Sequence, residues 1–164
     1  MSVVVWDGKT LAADCQVTAA GTRHRVSKIR KLESGEVLAW TGWQDSGLAM
    51  ADWYQQGADP KAFPAIQSDE NRWSRLVVAS PAGVFAYEHL PFRLDVLDPY
   101  CAWGAGMDYA LGALAMGADA RRAVEVACLF SVDCGFGVEA YDLVSGNWQH
   151  TTLLEMYPNQ VVMG

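Results

Sequence analysis

The fold is decided by Val3-Val4-Val5-Trp6-Asp7-Gly8-Lys9-Thr10-Leu11-Ala12-Ala13, close to the beginning of the chain. Val3–Trp6 consists of β-branched and aromatic residues, which are enriched in strands. Asp7-Gly8 is a strong signal for a two-residue hairpin turn, whose central positions need positive φ. The stretch therefore predicts an antiparallel hairpin with a return strand over residues 10–13 that ends at Asp14.

A second strand pair follows directly along the chain. Residues 26–32 and 36–41 are rich in strand-forming residues, and Ser34-Gly35 between them is a typical turn. The first forty residues therefore predict four strands that are antiparallel and locally connected.

In the rest of the chain, the predicted helices and strands come in blocks rather than alternating one by one. The predicted elements are a helix over 47–56, a surface loop over 58–72, strands over 76–80 and 83–88, helices over 107–116 and 119–130, and a closing hairpin over 138–144 and 148–153. Asp119 is suited to cap the helix that follows it. Such blocks predict an α+β fold with two stacked antiparallel sheets flanked by helices, rather than a parallel doubly wound sheet. Because helix 107–116 is apolar nearly all round, we expect it to be covered on both sides.

Composition limits the class of protein. The 164 residues include 12 basic and 19 acidic side chains, for a net charge of −7, and 51% are hydrophobic. This predicts one domain over 1–164 with a sizeable core, and excludes a disordered chain, a fibre or a coiled coil. An acidic chain argues against a nucleic-acid partner. No apolar run approaches the roughly 20 residues of a membrane-spanning helix, so we expect no membrane partner.

The termini and the cysteines predict a cytoplasmic protein without metal. Residues 1–7 lack the basic opening and long apolar run of a secretory signal, so we expect a cytoplasmic location. The four cysteines form no C-x-x-C pair, which gives no reason to predict a zinc site or disulfides. The three histidines likewise lack metal-ligand spacing.

Ser2, Asp14 and Lys28 are the candidates for chemistry. Removal of Met1 leaves an α-amine and a hydroxyl on one residue, and the amine is then able to act as the general base for that hydroxyl. An α-amine has an ordinary pKa of about 7.7–8.0, which a neighbouring cation such as Lys28 lowers. Asp14 is suited to hold that lysine in place. Each residue also has a plainer interpretation: serine is common after Met1, Asp14 suits a turn, and Lys28 suits a solvated strand edge.

The spacing of these residues resembles a known family. The segments are Ser2-Val-Val-Val with Gly8, Leu11-Ala-Ala-Asp14 with Thr18, Val26-Ser-Lys28-Ile-Arg-Lys-Leu32 with Val37-Leu-Ala, Trp103-Gly-Ala-Gly-Met-Asp-Tyr-Ala110, and Ala127 to Gly137 with Asp133. In this order they are similar to proteasome β-type subunits, and most similar to the short bacterial HslV-type and the phage or proteobacterial homologues. The resemblance covers nearly the whole chain.

The resemblance implies a four-layer αββα sandwich of the N-terminal-nucleophile hydrolase type and a role for each matched residue. Ser2 stands in place of the nucleophilic threonine, Asp14 matches the aspartate that orients the lysine, and Lys28 matches the lysine that tunes the amine. Asp133 matches a catalytic-site aspartate. The remaining two matches are for substrate binding: a backbone strand contact at Thr18 and an oxyanion-binding N–H near Gly42.

The implied activity is hydrolysis of amide bonds by a homo-oligomeric ring that acts on peptides or unfolded proteins without a cofactor. Whether an unfoldase delivers the substrate is left open. Three departures favour an alternative, a catalytically silent ring-forming scaffold or interaction subunit. Ala105 and Phe136 stand where the family carries serines, and Trp40 and Trp43 occupy a segment in which the family often has small residues.

Overall fold

A computed structural model describes residues 1–158 of the chain. Within these residues the elements are, in chain order, β1 (Val3–Trp6), β2 (Thr10–Asp14), β3 (Gln16–Ala19), β4 (Thr22–Arg25), β5 (Ile29–Lys31), β6 (Val37–Gly42), α1 (Gln44–Gln55), β7 (Ser74–Ser80), β8 (Gly83–Tyr87), β9 (Leu94–Val96), β10 (Cys101–Gly104), α2 (Met107–Ala115), α3 (Ala120–Phe130), β11 (Val138–Asp142), β12 (Asn147–Thr151) and α4 (Leu153–Met156). None of these helices is long and apolar enough to cross a bilayer.

Two five-stranded antiparallel sheets form the body of the fold. The first has the order β10-β1-β2-β11-β12 and the second the order β5-β6-β7-β8-β9. The predicted first hairpin is confirmed, because β1 pairs with β2 around a turn in which Gly8 has φ of 100°. Asp7 Oδ1 accepts the backbone N–H of Thr10 at 2.8 Å and thereby closes this turn.

The structure also contains strands that the sequence did not predict. β3 and β4 form a separate two-stranded ribbon, and the predicted strand 26–32 is reduced to β5. The ribbon is exposed along most of its length, so its sequence carries no alternation of buried and exposed residues. β9 and β10 are equally short and were also missed.

Three clusters of buried apolar residues show how the sheets and helices pack. One lies between the two sheets and includes Val4 and Val77; a second lies between the first sheet and α2 and α3 and includes Val3 and Val124. A third lies between the second sheet and α1. Val3–Trp6 is therefore buried on both faces, which explains its continuous apolar sequence. Burial of each such valine contributes about 1.5–3 kcal/mol.

The helices differ from the prediction in two respects. α1 begins at Gln44, three residues earlier than expected. The predicted start, Gly47, lies inside the helix, where a glycine is needed because a Cβ would overlap the Trp40 indole. The expectation that α2 is covered on both sides is wrong within the single chain: Ala110 and Leu114 are buried, but Met107 and Tyr109 are 42% and 45% exposed. The buried face of α2 packs on the first sheet and α3, and its other face is open. The Asp119 cap is confirmed by a 2.8 Å bond from the N–H of Arg122.

Candidate active site

A buried ion pair joins the two sheets at the end of β2. Lys28 Nζ lies 2.9 Å from Asp14 Oδ1, and the two side chains are 4% and 0% exposed. Asp14 also accepts three backbone N–H groups, from Val3 at 2.9 Å and from Gln16 and Gly135 at 3.1 Å each. These charge-assisted bonds offset the cost of removing a carboxylate from water. The site thus holds a lysine cation in a fixed position.

Ser2 is linked to this pair through the backbone of Val3, the residue that follows it. The N–H that Val3 donates to Asp14 fixes the backbone beside Ser2, and the Ser2 carbonyl accepts the N–H of Gly106 at 3.4 Å. Ser2 is 1% exposed, and among the described residues its Oγ is the one buried side-chain polar atom without a hydrogen-bond partner. An unmade hydrogen bond at a buried hydroxyl costs about 1–3 kcal/mol and calls for a functional explanation.

The pKa of the Met1 amine shows how burial and nearby charges act on an amine beside Ser2. It donates to the carbonyl of Gly42 at 3.4 Å. Burial lowers the pKa of this amine from its ordinary value of 8.0, and the Lys28 cation lowers it further, against the opposing effects of Asp14 and Asp133. An amine in this position therefore loses its proton more readily than one in water.

A cleft of about 430 Å³ opens beside Ser2. Its lining residues are Met1, Ser2, Thr41, Gly42, Trp43, Asn71, Trp73, Arg75, Gly104, Ala105 and Met107. Two of the glycines that line the cleft have no room for a side chain, because backbone atoms of other residues approach them closely. Gly42 has φ of 108°, and a Cβ there would lie 2.6 Å from the carbonyl oxygen of Trp73; Gly104 has φ of 98°, and a Cβ there would overlap the carbonyl of Ser2.

Substitution of Gly104 by alanine is expected to destabilise the fold by about 1–3 kcal/mol or more, because it combines an unfavourable φ with a clash against Ser2. Urea denaturation measures this change. Gly112→Ala is the matched control, since nothing lies within 4 Å of its added Cβ and alanine favours the helix by about 0.5–1 kcal/mol. Equal urea midpoints for Gly104→Ala and the unsubstituted chain would contradict this account of Ser2 positioning.

The structure does not bring all of the predicted residues into the cleft. Thr18 is exposed on the β3–β4 ribbon, opposite Arg23, and does not line the cleft. Asp133 follows α3 and acts on the Met1 amine through its charge, but among residues 1–158 its carboxylate accepts no hydrogen bond from Ser2 or Lys28. Phe136 has φ of 61° and lines a different cavity.

That second cavity has a volume of about 560 Å³ and lies between the end of α3 and α4. Neither Ser2, Asp14 nor Lys28 lines it, so its greater size does not make it the better candidate site. In the described part of the chain, no group of three or more His, Cys, Asp or Glu residues is arranged to hold a metal ion.

Sequence reasoning noted Trp43, but it missed Trp73, the second tryptophan of the cleft, and the residue that holds Trp73 in place. Gln67, predicted within a surface loop, is fully buried. Its side chain donates to the carbonyls of Ser74 at 2.6 Å and Glu88 at 2.7 Å, and accepts the N–H of Ser74 at 3.0 Å. These bonds fasten the segment before β7 and so position Trp73. A glutamine that follows the two prolines of the predicted loop gave no signal of this role.

Comparison with known proteins identifies the fold. No protein-family model matches the chain, and no curated protein matches it in sequence. Among solved structures, BPH from Thiobacillus denitrificans in complex with epoxomicin superposes with a TM-score of 0.66 at 21% identity, over 93% of this chain and 99% of that one. A second structure of BPH from the same organism superposes with a TM-score of 0.66 at 22% identity, over 93% of this chain and 98% of that one. HslV from Trypanosoma brucei superposes with a TM-score of 0.61 at 18% identity, over 86% of this chain and 98% of that one. The chain is thus similar in fold to BPH and HslV, which confirms the resemblance predicted from its sequence.

Proposed function

We propose that this chain is an amide-bond hydrolase of the proteasome and HslV type, in which Ser2 is the N-terminal nucleophile after cleavage of the Met1–Ser2 bond. The observation that carries the proposal is the buried Asp14–Lys28 pair, which is hydrogen-bonded to the backbone of Val3, directly after a buried serine whose hydroxyl has no partner of its own. Likeness of fold to BPH and HslV supports the same class of activity. The enzyme is threonine-peptidase-like, with serine as the nucleophile.

The four-layer αββα sandwich is part of this proposal. The three buried clusters support it, since they lie between α1 and the second sheet, between the two sheets, and between the first sheet and the α2–α3 pair. In such a sandwich the catalytic pair spans the inner sheets, because Asp14 ends a strand of one sheet and Lys28 precedes a strand of the other.

The first half of the reaction forms an ester. The neutral amine of Ser2 takes the proton from its own hydroxyl, and Oγ attacks the carbonyl carbon of the substrate. The negative charge that develops on the carbonyl oxygen is stabilised by the backbone N–H of Gly42. The amine then gives its proton to the leaving nitrogen, the C–N bond breaks, and an acyl ester of Ser2 remains.

The second half of the reaction restores the enzyme. The amine takes a proton from a water molecule, whose oxygen attacks the ester carbonyl, and the proton returns to Oγ as the C–O bond breaks. A carboxylic acid leaves. Lys28 aids both halves, because its positive charge disfavours a second positive charge on the amine and so keeps it available as a base. Asp14 holds Lys28 in position.

The alternative is a catalytically silent ring-forming scaffold or interaction subunit. Retention of Met1 favours it, because the nitrogen of Ser2 is then an amide and not a base. Ala105 lines the cleft where the family carries a serine, so one hydrogen bond to the amine is missing. Ser2, Asp14 and Lys28 retain the nucleophile, the orienting carboxylate and the cation, and for that reason hydrolysis is the function that we put forward.

Hydrolysis by two forms of the chain tests the proposal. One form is produced with Ser2 as its first residue, by removal of a cleavable N-terminal fusion, and the other retains Met1. We expect a fluorogenic peptide to be cleaved by the Ser2-first form and not by the Met1 form, because only the former has the amine. Absence of turnover by a folded Ser2-first protein, with its mass confirmed, would favour the scaffold.

We further propose that the chain works as a cytoplasmic homo-oligomeric ring that takes peptides or unfolded proteins, with an unfoldase as the candidate source of substrate. Exposed apolar side chains on α2 and α3 support an assembly, among them Tyr109, Met116 and Phe130, which are 45%, 88% and 65% exposed. Light scattering at micromolar concentration is expected to give a mass several times the 17.9 kDa of one chain. A mass of one chain would contradict the ring.

A further inference from the structure

The cleft beside Ser2 has apolar walls that the proposed chemistry does not use. Trp43, Trp73 and Met107 all line it, and Trp43 and Met107 are 51% and 42% exposed. Large apolar side chains gathered around one concavity, with a few polar groups among them, are typical of a site that binds a ligand. The same cleft contains Ser2 and Gly42, so that a ligand held by these walls lies against the reacting atoms.

Contacts on the protein side hold the two indoles in place. Trp73 stacks with His89 at a centroid distance of 4.1 Å, and the guanidinium of Arg75 lies 5.6 Å from the Trp73 ring. The guanidinium of Arg72 lies 5.5 Å from the Trp43 ring. These contacts restrict the rings and make them preformed walls.

The cations near the walls are already neutralised. Arg75 lies 2.6 Å from a carboxylate oxygen of Glu88, and Arg72 lies 3.0 Å from one of Asp45. The cleft therefore offers apolar surface more than net charge. A large apolar or aromatic side chain gains burial there, whereas an acidic or basic one loses hydration without a cleft-lining carboxylate or an unpaired cation to replace it.

Met1 shows which part of a substrate reaches these walls. It is bonded to the nitrogen of Ser2 and lines the same cleft. When the Met1–Ser2 bond is cleaved, the new amine therefore faces the cleft. That amine must deliver a proton to the leaving nitrogen of the substrate, so the leaving nitrogen and the residue that carries it lie on this side of Ser2.

We propose that the cleft between Trp43, Trp73 and Met107 is the pocket for the residue that follows the scissile bond, and that it selects a large apolar or aromatic side chain there. This inference rests on the proposed hydrolysis at Ser2. If the inference is correct, the sequence preference of the enzyme depends on the leaving half of the substrate. The walls that determine it belong to α2 and to the segments flanking β6 and β7.

Cleavage of matched peptides tests the selection. The peptides are identical except for phenylalanine, leucine, glycine or aspartate after the scissile bond, and the protein is the Ser2-first form. We expect kcat/KM for phenylalanine to exceed that for aspartate about tenfold or more. Trp43→Ala is expected to bring this ratio close to one, and Trp43→Phe to retain most of it. Trp148→Ala, a half-exposed tryptophan on β12 outside the cleft, is the matched control and leaves the ratio unchanged.

Binding to a non-cleaving variant separates this inference from the proposed function. Fluorescein-labelled forms of the same peptides are titrated against the Ser2→Ala variant with Met1 removed, and anisotropy gives their affinities. Tighter binding of the phenylalanine peptide than of the aspartate peptide, lost in the additional Trp43→Ala variant, supports the pocket even if the unsubstituted chain cleaves nothing, in which case the proposed function fails alone. Equal affinities, or a preference that Trp43→Ala does not change, overturn the inference whatever the result of the cleavage assay.

Discussion

Substitution of Ser2 by alanine in the chain that begins at residue 2 is expected to reduce peptide turnover to the uncatalysed level, because Ser2 supplies the hydroxyl that forms the ester in the proposed reaction. The stability of the fold is expected to stay the same or to rise slightly. With Met1 present, the buried Ser2 Oγ has no hydrogen-bond partner among the described residues, so its removal breaks no hydrogen bond to another residue and relieves an unsatisfied group. Steady-state hydrolysis and urea denaturation measure the two effects.

The combination of these two results is what distinguishes a catalytic serine from a structural one. Loss of turnover together with a lower urea midpoint would indicate that Ser2 supports the fold. Ser34→Ala is a suitable control, since Ser34 lies in an exposed turn, bonded to Glu36 and outside the cleft. Turnover that persists in Ser2→Ala at the level of this control would contradict the proposed nucleophile.

Substitution of Lys28 by alanine is expected to lower kcat by about 100-fold or more, the scale of a lost contribution to proton transfer. The substitution is also expected to change how activity depends on pH. The Lys28 cation lowers the pKa of the Met1 amine. We expect it to act in the same direction on an amine at Ser2, so that its removal raises the pKa of that amine. Since the amine must be neutral to act as a base, the rise of activity with pH is expected to move to higher pH. The control is Lys61→Ala, at an exposed lysine far along the chain.

The same substitution has a cost in stability that must be measured separately. It leaves the Asp14 carboxylate buried with three backbone N–H donors but no cation, which is expected to cost about 3–5 kcal/mol. Turnover is therefore to be assayed at a temperature where the variant is folded by circular dichroism. A pH profile that is unchanged in a folded Lys28→Ala variant would contradict the role given to Lys28.

The parts of the fold that the sequence predicted are those buried on two sides or closed by specific turns. Val3–Trp6 is covered by both a helix pair and the opposite sheet, and its run of apolar residues follows from that position. The Asp7-Gly8 turn needs a glycine at positive φ and has one. The ribbon of β3 and β4 could not be predicted in this way, because it is held by backbone pairing of exposed residues and leaves no periodicity in the sequence.

The residues of the candidate site likewise fall into those that the sequence predicted and those that it did not. Asp14 and Lys28 were singled out by chemistry and by resemblance, and the structure places them in contact at 2.9 Å with both side chains buried. Trp73 was not singled out, because its place in the cleft depends on the hydrogen bonds of Gln67, 7 residues away from Ser74, and no local pattern encodes such a contact. Within residues 1–158, the Asp133 carboxylate accepts no hydrogen bond from Ser2 or Lys28, and Thr18 does not line the cleft, so the roles of both stay predictions.

The most direct measurement of the central claim is the location of a covalent probe on the protein. The Ser2-first chain is treated with an electrophilic peptide probe, for which epoxomicin, the ligand of the BPH complex, is the first choice. Intact mass and tandem mass spectrometry then give the number of adducts and the residue that carries them. We predict one adduct per chain, on Ser2, and none on the Met1-retaining form or on Ser2→Ala. A folded Ser2-first chain that stays unmodified, or an adduct that persists in Ser2→Ala, would contradict the claim that Ser2 is an active N-terminal nucleophile.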